Sequence, residues 1–429
     1  MNASGAAHLT SHKKSYFLPI LIIGALFFIF GFVTWLNGIL IPYLQIACEL
    51  SNFQALFVTF VFYIAYTIMA LPSAWVLRKS GFKNGMMIGL WVMAIGTVLF
   101  VPAALIRAYE LFLLGLFVMG TGLALLQTAA NPYITVIGPA DSAARRISIL
   151  GICNKLAGAV APLILAYYIL NDGDAFVQSL ATMNAEAQSL ALDGLARRVI
   201  NPYLAMTFLL VLMGIGIRLS PLPKVDQAID EPFVDHSGQV RKHIIQFPNL
   251  ILGVLALFFY VGAEVIAGDT IIRYGLSLGI GMDTAKAFTS YTMIFMVVGY
   301  LLGISFIPKY ISQHNALKVS AILGLIFSVS VVFTDGILSV IFVALLGIAN
   351  AMVWPTIWPL ALNGLGKFIN TGSALLIMAI SGGALLPLLW GRLSDIYRLQ
   401  QAYWLLIPLY LFILFYSIKG YSMKSWVKQ

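Results

Sequence analysis

Charge is the first thing this chain has little of. Only 10% of its 429 residues are Asp, Glu, Lys or Arg, against 61% hydrophobic residues and a mean hydropathy of +0.94. A water-soluble domain carries nearer a quarter of charged residues. No core could hide this much apolar surface, so lipid must solvate most of it, and a soluble enzyme or binding module is excluded. Cysteine is also scarce. Cys48 and Cys153 lie in different apolar runs and are expected to be free thiols, with no disulfide between them. Histidine is confined to positions 8, 12, 236, 243 and 314, in tails or loops outside the apolar runs. His8 and His12 are four apart, but in a short terminal tail. No metal-ligand spacing and no Ser–His or Cys–His constellation can be assembled at membrane depth, so a membrane-embedded enzyme is disfavoured, no cofactor is expected and no metal site is called. The formal charge of +9 comes from lysines and arginines scattered singly and in pairs, which excludes a nucleic-acid surface.

What the chain does have is long hydrophobic runs. A membrane-crossing helix needs about 20 mostly apolar residues, and twelve such runs begin near Tyr16, Phe53, Met86, Leu111, Ile147, Pro202, Leu250, Thr284, Val319, Ile337, Thr371 and Gln401. Lys13 and Lys14 precede a first run long enough to span, which reads as a retained helix rather than a cleaved signal. Two connections are longer than a turn: Asn171 to Asn201, and Ser220 to Phe247. The expected class is therefore an all-α membrane protein of twelve transmembrane helices in two pseudo-symmetric bundles. The expected division is an N-terminal tail (1–15), a first six-helix bundle (16–218), a linker (219–248), a second bundle (249–418) and a C-terminal tail (419–429). With the N-terminus in the cytoplasm, most of the 25 lysines and arginines fall on the cytoplasmic side, including Arg78, Lys79, Lys83, Arg145 and Arg146. Both termini and the linker are thus expected in the cytoplasm, with Arg392 and Arg398 running against the bias.

The halves also echo one another. GTGLALLQTAANPY from Gly120 aligns with GIANAMVWPTIWPL from Gly347, setting Gln127 against Trp354, and AGAVAPLILA echoes GGALLPLLWG. Parallel six-helix repeats would produce this pattern. Amides recur inside these spans: Asn37, Gln127, Asn131, Asn154, Asn350 and Asn363, with Thr34, Thr356 and the aromatics Trp35, Tyr133, Trp354 and Trp358. An amide facing hydrocarbon is costly, so each must face protein or a wet cavity. Interhelical bonding explains any one of them at roughly 0.6 kcal/mol each. As a cluster, donors and acceptors beside flat aromatic faces suit a ligand with many hydroxyls. The candidate ligand-binding residues are Asn37, Gln127, Asn131, Asn154, Lys155, Trp354 and Asn363.

Three ionisable side chains fall inside runs: Lys155, Glu264 and Asp269. A charge at the bilayer centre costs about 2.5–3.5 kcal/mol, so such residues point to function. Lys155 sits about 12 Å into its run and Glu264 about 21 Å into its own at helical rise. Asp269 is expected nearer the outer surface, solvated. Glu264 and Asp269 are the candidate ion-coupling residues. Glu264 reads either as a cation ligand or as a structural acid paired with a tyrosine or with Lys155. An ammonium at Lys155 would stand in for a bound cation, and transport would then be uncoupled.

Four stretches carry a resemblance: WLNGILIPYLQ (35–45), LLQTAANPYITVIGP (125–139), FYVGAEV (259–265) and GSALLIMAISGGALLPLLWG (372–391). Together they resemble the fucose and glucose/galactose permease branch of the major facilitator superfamily across nearly the whole chain. The resemblance implies a bacterial inner-membrane importer of a monosaccharide, expected as a monomer. It would work by alternating access with H+ or Na+ as coupling ion. The substrates it implies are hexoses of the glucose/galactose type, with N-acetylglucosamine or fucose as alternatives. An uncoupled uniporter remains open, as does a sugar sensor. Two positions depart from the fucose-type pattern, which has an acid after the LN asparagine and a glutamate before TAANP. Here Gly38 and Gln127 stand there, and neither can take a proton.

Overall fold

The computed structural model describes residues 17–136, 143–222, 243–307, 309–365 and 368–426. Among them the architecture is helical throughout, with twelve helices long and apolar enough to cross a membrane. We number these spans 1 to 12: Leu18–Ala47, Phe53–Leu77, Lys79–Leu105, Tyr109–Asn131, Ile147–Ile169, Ala185–Leu219, Pro248–Asp269, Met282–Phe306, Gln313–Phe333, Gly336–Leu362, Thr371–Ile396 and Leu399–Ser422. The spans alternate in direction. The side of the 219–248 linker is called the linker side below, and the opposite one the far side.

Breaks in these helices follow local chemistry. Span 1 is interrupted at Leu36, between helices Phe17–Trp35 and Asn37–Ala47. Spans 2 and 3 run through a turn so tight that only Gly81, at φ 73°, marks it as non-helical. A residue with a Cβ would be strained there. Span 10 changes course at Met352, between Gly336–Ala351 and Val353–Leu362.

The Asn171–Asn201 connection contains two helices, Gly173–Leu180 and Ala185–Arg197, and the second is the opening part of span 6, which was expected to start near Pro202. Asn184 caps the second by accepting the Ala187 N–H at 2.9 Å. Its Leu192, Leu195 and Ala196 are buried while most of its polar residues are exposed. A helix that buries one stripe at the protein edge cannot show the continuous hydrophobicity of a span. The Tyr43 hydroxyl fastens it from span 1, donating to the carbonyls of Leu195 (2.8 Å) and Ala196 (3.0 Å). Arg198 bridges Asp172 with both guanidinium prongs, and this bridge holds the Asp172 carboxyl below the usual carboxylate range.

Glycine brings spans 3 and 4 together. A Cβ on Gly89 would lie 2.7 Å from the Gly122 carbonyl oxygen, and one on Gly122 would lie 2.5 Å from that of Gly89. Gly96 and Gly115 repeat the arrangement one heptad away, with Gly96 facing Met119 and Gly115. Close backbone approach replaces hydrophobic drive inside lipid, where apolar side chains gain nothing by leaving their solvent.

The first six spans meet the last six along three lines: span 5 on span 8, span 2 on span 11, and the second half of span 1 on span 7. The described side-chain bonds across this seam lie near mid-depth or on the far side. Thr67 reaches Met378 at mid-depth. On the far side the Asp174 carboxylate accepts the N–H groups of Met282 (2.6 Å) and Asp283 (3.1 Å), so an acid of the first half caps the span 8 N-terminus in the second. Gly173 lies against Met282, and Leu56 against Gly391, at the same level.

The glycine contact predicts a contrast. Gly89→Val forces branched carbons into the Gly122 backbone and should cost about 1–3 kcal/mol, as overpacking does. Gly216, with nothing within 4 Å of a built Cβ, should accept alanine without loss. Thermal midpoints of the purified variants in detergent check this; equal midpoints would contradict the close approach.

Candidate functional site

A cavity with about 840 Å³ of empty space, part of it open to solvent, lies between the two sets of six spans. Its first-half wall includes Thr34 and Trp35 of span 1, Tyr63 and Tyr66 of span 2, Gln127 and Asn131 of span 4, and Asn154 and Lys155 of span 5. Its second-half wall includes Tyr260 and Glu264 of span 7, Tyr300 of span 8, and Trp354 with Pro355 of span 10. Asn131 and Ile147 sit at the linker-side ends of their spans, so the cavity extends toward that side.

The helical period explains the convergence. Gln127 and Asn131 are one turn apart on span 4, and Tyr260 and Glu264 one turn apart on span 7, so each pair shares a face. The span 10 bend at Met352 precedes Trp354, whose indole stacks on Trp358 at 5.4 Å between ring centres. The Gln127 amide donates to the Tyr66 hydroxyl at 3.1 Å, which leaves its carbonyl oxygen available to the cavity. The Asn154 side chain makes two long contacts, accepting from the Trp35 indole at 3.5 Å and donating to the Phe27 carbonyl at 3.4 Å.

The dominant electrostatic feature crosses the cavity. Lys155 Nζ donates to Glu264 Oε1 at 2.6 Å, with both side chains 9% exposed. The ammonium also lies 4.3 Å from the Trp35 ring centre. Of the two roles open to Glu264, the geometry shows the paired acid. The pair joins span 5 to span 7, so it neutralises both buried charges and ties the two halves near mid-depth.

Four of the expected ligand-binding residues thus line the cavity with Lys155: Gln127, Asn131, Asn154 and Trp354. Asn37 does not. It is 1% exposed behind the wall, and neither amide atom has a hydrogen-bond partner. Asn363 is also elsewhere: span 10 ends at Leu362, Asn363 turns into extended backbone and is exposed, and its carbonyl accepts from Asn249. A polar residue just past a helix end faces solvent, and no pattern in the run could show that the span stops one residue short. Asn350 accepts from the Tyr410 hydroxyl at 2.9 Å, and Thr356 bonds its own helix backbone, so both serve packing.

Asp269 corrects a second expectation. It is fully buried, not solvated, because Thr59, Trp35 and Thr289 close over the end of span 7. Its Oδ2 accepts from Thr59 at 3.0 Å across the seam, and Oδ1 has no partner. Sequence reasoning missed the tyrosines of the wall, Tyr63, Tyr66, Tyr260 and Tyr300. In an apolar run a tyrosine looks like packing. The available signal was Tyr260 one turn before Glu264.

Residues 23–386 match the Major Facilitator Superfamily. The chain belongs to this superfamily. Within it, the chain is 35% identical to the glucose/galactose transporter of Brucella abortus biovar 1 (strain 9-941) over 415 residues, 96% of each chain. It is 30% identical to the L-fucose-proton symporter of Escherichia coli (strain K12) over 388 residues, 89% of this chain and 88% of the symporter. Among solved structures it resembles the superfamily transporter FucP in the outward conformation, with a TM-score of 0.74 at 28% identity, covering 94% of this chain and 99% of that one. The superfamily's two-bundle fold accounts for a cavity that takes its walls from both halves.

The ion pair predicts non-additive stability. Lys155→Met alone leaves Glu264 buried and uncompensated, at a cost of about 3–5 kcal/mol. Lys155→Met with Glu264→Gln should recover most of the loss. Thermal midpoints in detergent read both; a double variant no better than the single would show that the charges act independently.

Proposed function

We propose that this protein imports a monosaccharide of the glucose/galactose class across the bacterial inner membrane by alternating access, with the linker side in the cytoplasm. The observation that carries this reading is the composition of the cavity wall. Gln127, Asn131 and Asn154 from the first half face Tyr260, Tyr300 and Trp354 from the second. Hydroxyls need donors and acceptors in pairs, which amides supply, and the C–H faces of a pyranose ring pack on indole and phenol. Among the described residues the charges in the wall are Lys155 and Glu264, which cancel as a pair, and this suits a neutral ligand. The names of the relatives, a glucose/galactose transporter and a fucose-proton symporter, support the same substrate class. An enzyme or sensor role has no comparable support.

Sugar binding across both halves gives transport its drive. A ligand that bridges the two walls stabilises the arrangement in which they close over it, by as much as it prefers that arrangement. Two six-helix halves can then rock about a mid-depth site. Lys155 already occupies the place beside Glu264 that a cation would take. If entry is cation-driven, the ion acts elsewhere.

Counterflow tests the reading. Vesicles holding purified protein and preloaded with unlabelled glucose or galactose should take up the labelled sugar with no ion gradient imposed. Gln127→Ala and Asn154→Ala should each raise the half-saturating sugar concentration about tenfold, the worth of one lost hydrogen bond, at unchanged amounts of folded protein. Unchanged values in both variants would assign these amides to helix packing, and no counterflow with any hexose would overturn the sugar reading.

A further inference from the structure

Among the described residues two acids are buried, Glu264 and Asp269, and Asp269 is the one that does not line the cavity. Its side chain is fully buried near the far-side end of span 7, and among the described residues it makes no ion pair. Its single described bond comes from Thr59 on the other half, and its Oδ1 is buried without a partner. A carboxylate left alone in a low-dielectric interior loses solvation that one hydroxyl does not restore. The neutral acid loses far less.

The surroundings are those of a closed seam. Trp35 packs on Gly268, and Gly38 packs on Thr289, whose hydroxyl donates to the Gly268 carbonyl at 2.8 Å. Asn37, between those two contact residues in sequence, has both amide atoms buried and unpartnered, so it holds an idle acceptor beside the segment that needs one. The titratable side chains whose charge reaches Asp269 are Glu264 on its own helix, Lys155 on span 5 and Tyr63 on span 2. Glu264 and Lys155 satisfy one another, so neither serves as its counter-ion.

We propose that Asp269 is a proton site on the far-side seam, and that its carboxyl takes up one proton before the outer ends of the two halves close. This rests on the alternating-access reading above and names the coupling ion and its place. When the far side is open, Thr59 and Asp269 separate with their halves and the carboxylate meets outside water. One hydronium ion gives its proton to the carboxylate, leaving water and a neutral acid. The neutral acid can be buried under Thr59, while Asp174 caps span 8 above it. Release runs the other way. Tyr63 is one turn from Thr59 on the same face of span 2, about 6 Å along the helix, and it lines the cavity. Release toward the linker side would pass Tyr63, the cavity-lining residue one turn from Thr59, the partner of Asp269. The acid thereby does the work that Gly38 and Gln127 cannot do.

Two measurements test this, both on the full chain. The first needs no sugar. Spin labels at the exposed positions Val177 and Thr284, in a background with Cys48 and Cys153 replaced by serine, report the far-side separation. In the otherwise native chain the ratio of short to long distances should fall with rising pH, by up to tenfold per unit through a single one-proton midpoint. Asp269→Asn, a permanent mimic of the neutral acid, should stay short at every pH. A native ratio independent of pH, or an Asp269→Asn protein that titrates like the native one, overturns the proposal. The second measurement adds sugar to vesicles in weakly buffered medium. The native chain should alkalinise the outside as sugar enters. Asp269→Asn should still exchange labelled sugar but give no alkalinisation. Alkalinisation by Asp269→Asn, or none by a native chain that exchanges sugar, refutes it. Absent exchange by the native chain would sink the sugar reading alone, and the distance measurement would still decide Asp269.

Discussion

A lysine and a glutamate that hold each other across a gap between two bundles set the terms for the rest of this molecule. Neither charge is tolerable alone at the depth where Lys155 and Glu264 sit, and together they cost the fold little. The pair sits on spans 5 and 7, one from each half, so it does more than neutralise: it makes mid-depth the level at which the halves must stay in register. It also empties the cavity of net charge. The polar groups that remain on the walls are amides and hydroxyls, set among aromatic rings and aliphatic side chains, a surface suited to directed hydrogen bonds and stacking. An uncharged, hydroxyl-rich ligand is the complement of that surface. A carboxylate or an ammonium would have to compete with an existing partner.

The seam is graded in chemistry from the middle outward. At mid-depth it is an ion pair, Lys155 with Glu264. Nearer the far side it is a neutral hydroxyl on an acid, Thr59 with Asp269. At the far-side surface it is a carboxylate on backbone N–H groups, Asp174 with Met282 and Asp283. Each joins one half to the other, and each has a different tolerance for water. The outermost can open and re-form in solvent at small cost, because water replaces its partners. The innermost cannot separate without stranding two charges, which favours a rocking motion pivoting near it over a translation of one bundle past the other. Of these three seam groups, the buried acid is the one whose burial, on the proposal above, depends on its protonation, so it is the place where a proton would influence the swing.

Much of this was legible in the residues, and the reasons for the exceptions are physical. Long apolar runs announce spans because lipid demands about 20 such residues in sequence, and the twelve runs correspond to the twelve helices. Gln127, Asn131, Asn154 and Trp354 were visible because a polar or indole group inside such a run must find a reason to be there. The helices at Gly173–Leu180 and Ala185–Arg197 were not visible, since they bury one stripe and leave the other wet. The burial of Asp269 was hidden for a different cause. A residue at the end of a run looks solvated, and only the arrival of Trp35, Thr59 and Thr289 from three other spans shuts it in. Asn363 fails in the opposite sense, lying one residue beyond a helix end that sequence does not mark. Along-chain patterns report depth in the membrane; they carry little about which neighbours close over a given atom.

The loss of acids at positions 38 and 127 and the presence of one at 269 belong to a single account. At Gly38 there is no room for an acid: even a Cβ would meet Thr289 Oγ1 at 2.6 Å, and the glycine lets span 1 pack closely on span 8. That packing helps to build the roof over Asp269. Gln127, for its part, has the shape of a glutamate with a donor in place of a charge, which it gives to Tyr66, so span 4 presents an uncharged amide where a carboxylate would change charge within the cavity. On the proposal above, a titratable group in the seam and none free in the wall would separate two tasks that a cavity acid must combine. The wall would bind sugar with one unchanging set of donors and acceptors, while protonation would act on the opening and closing of the far side.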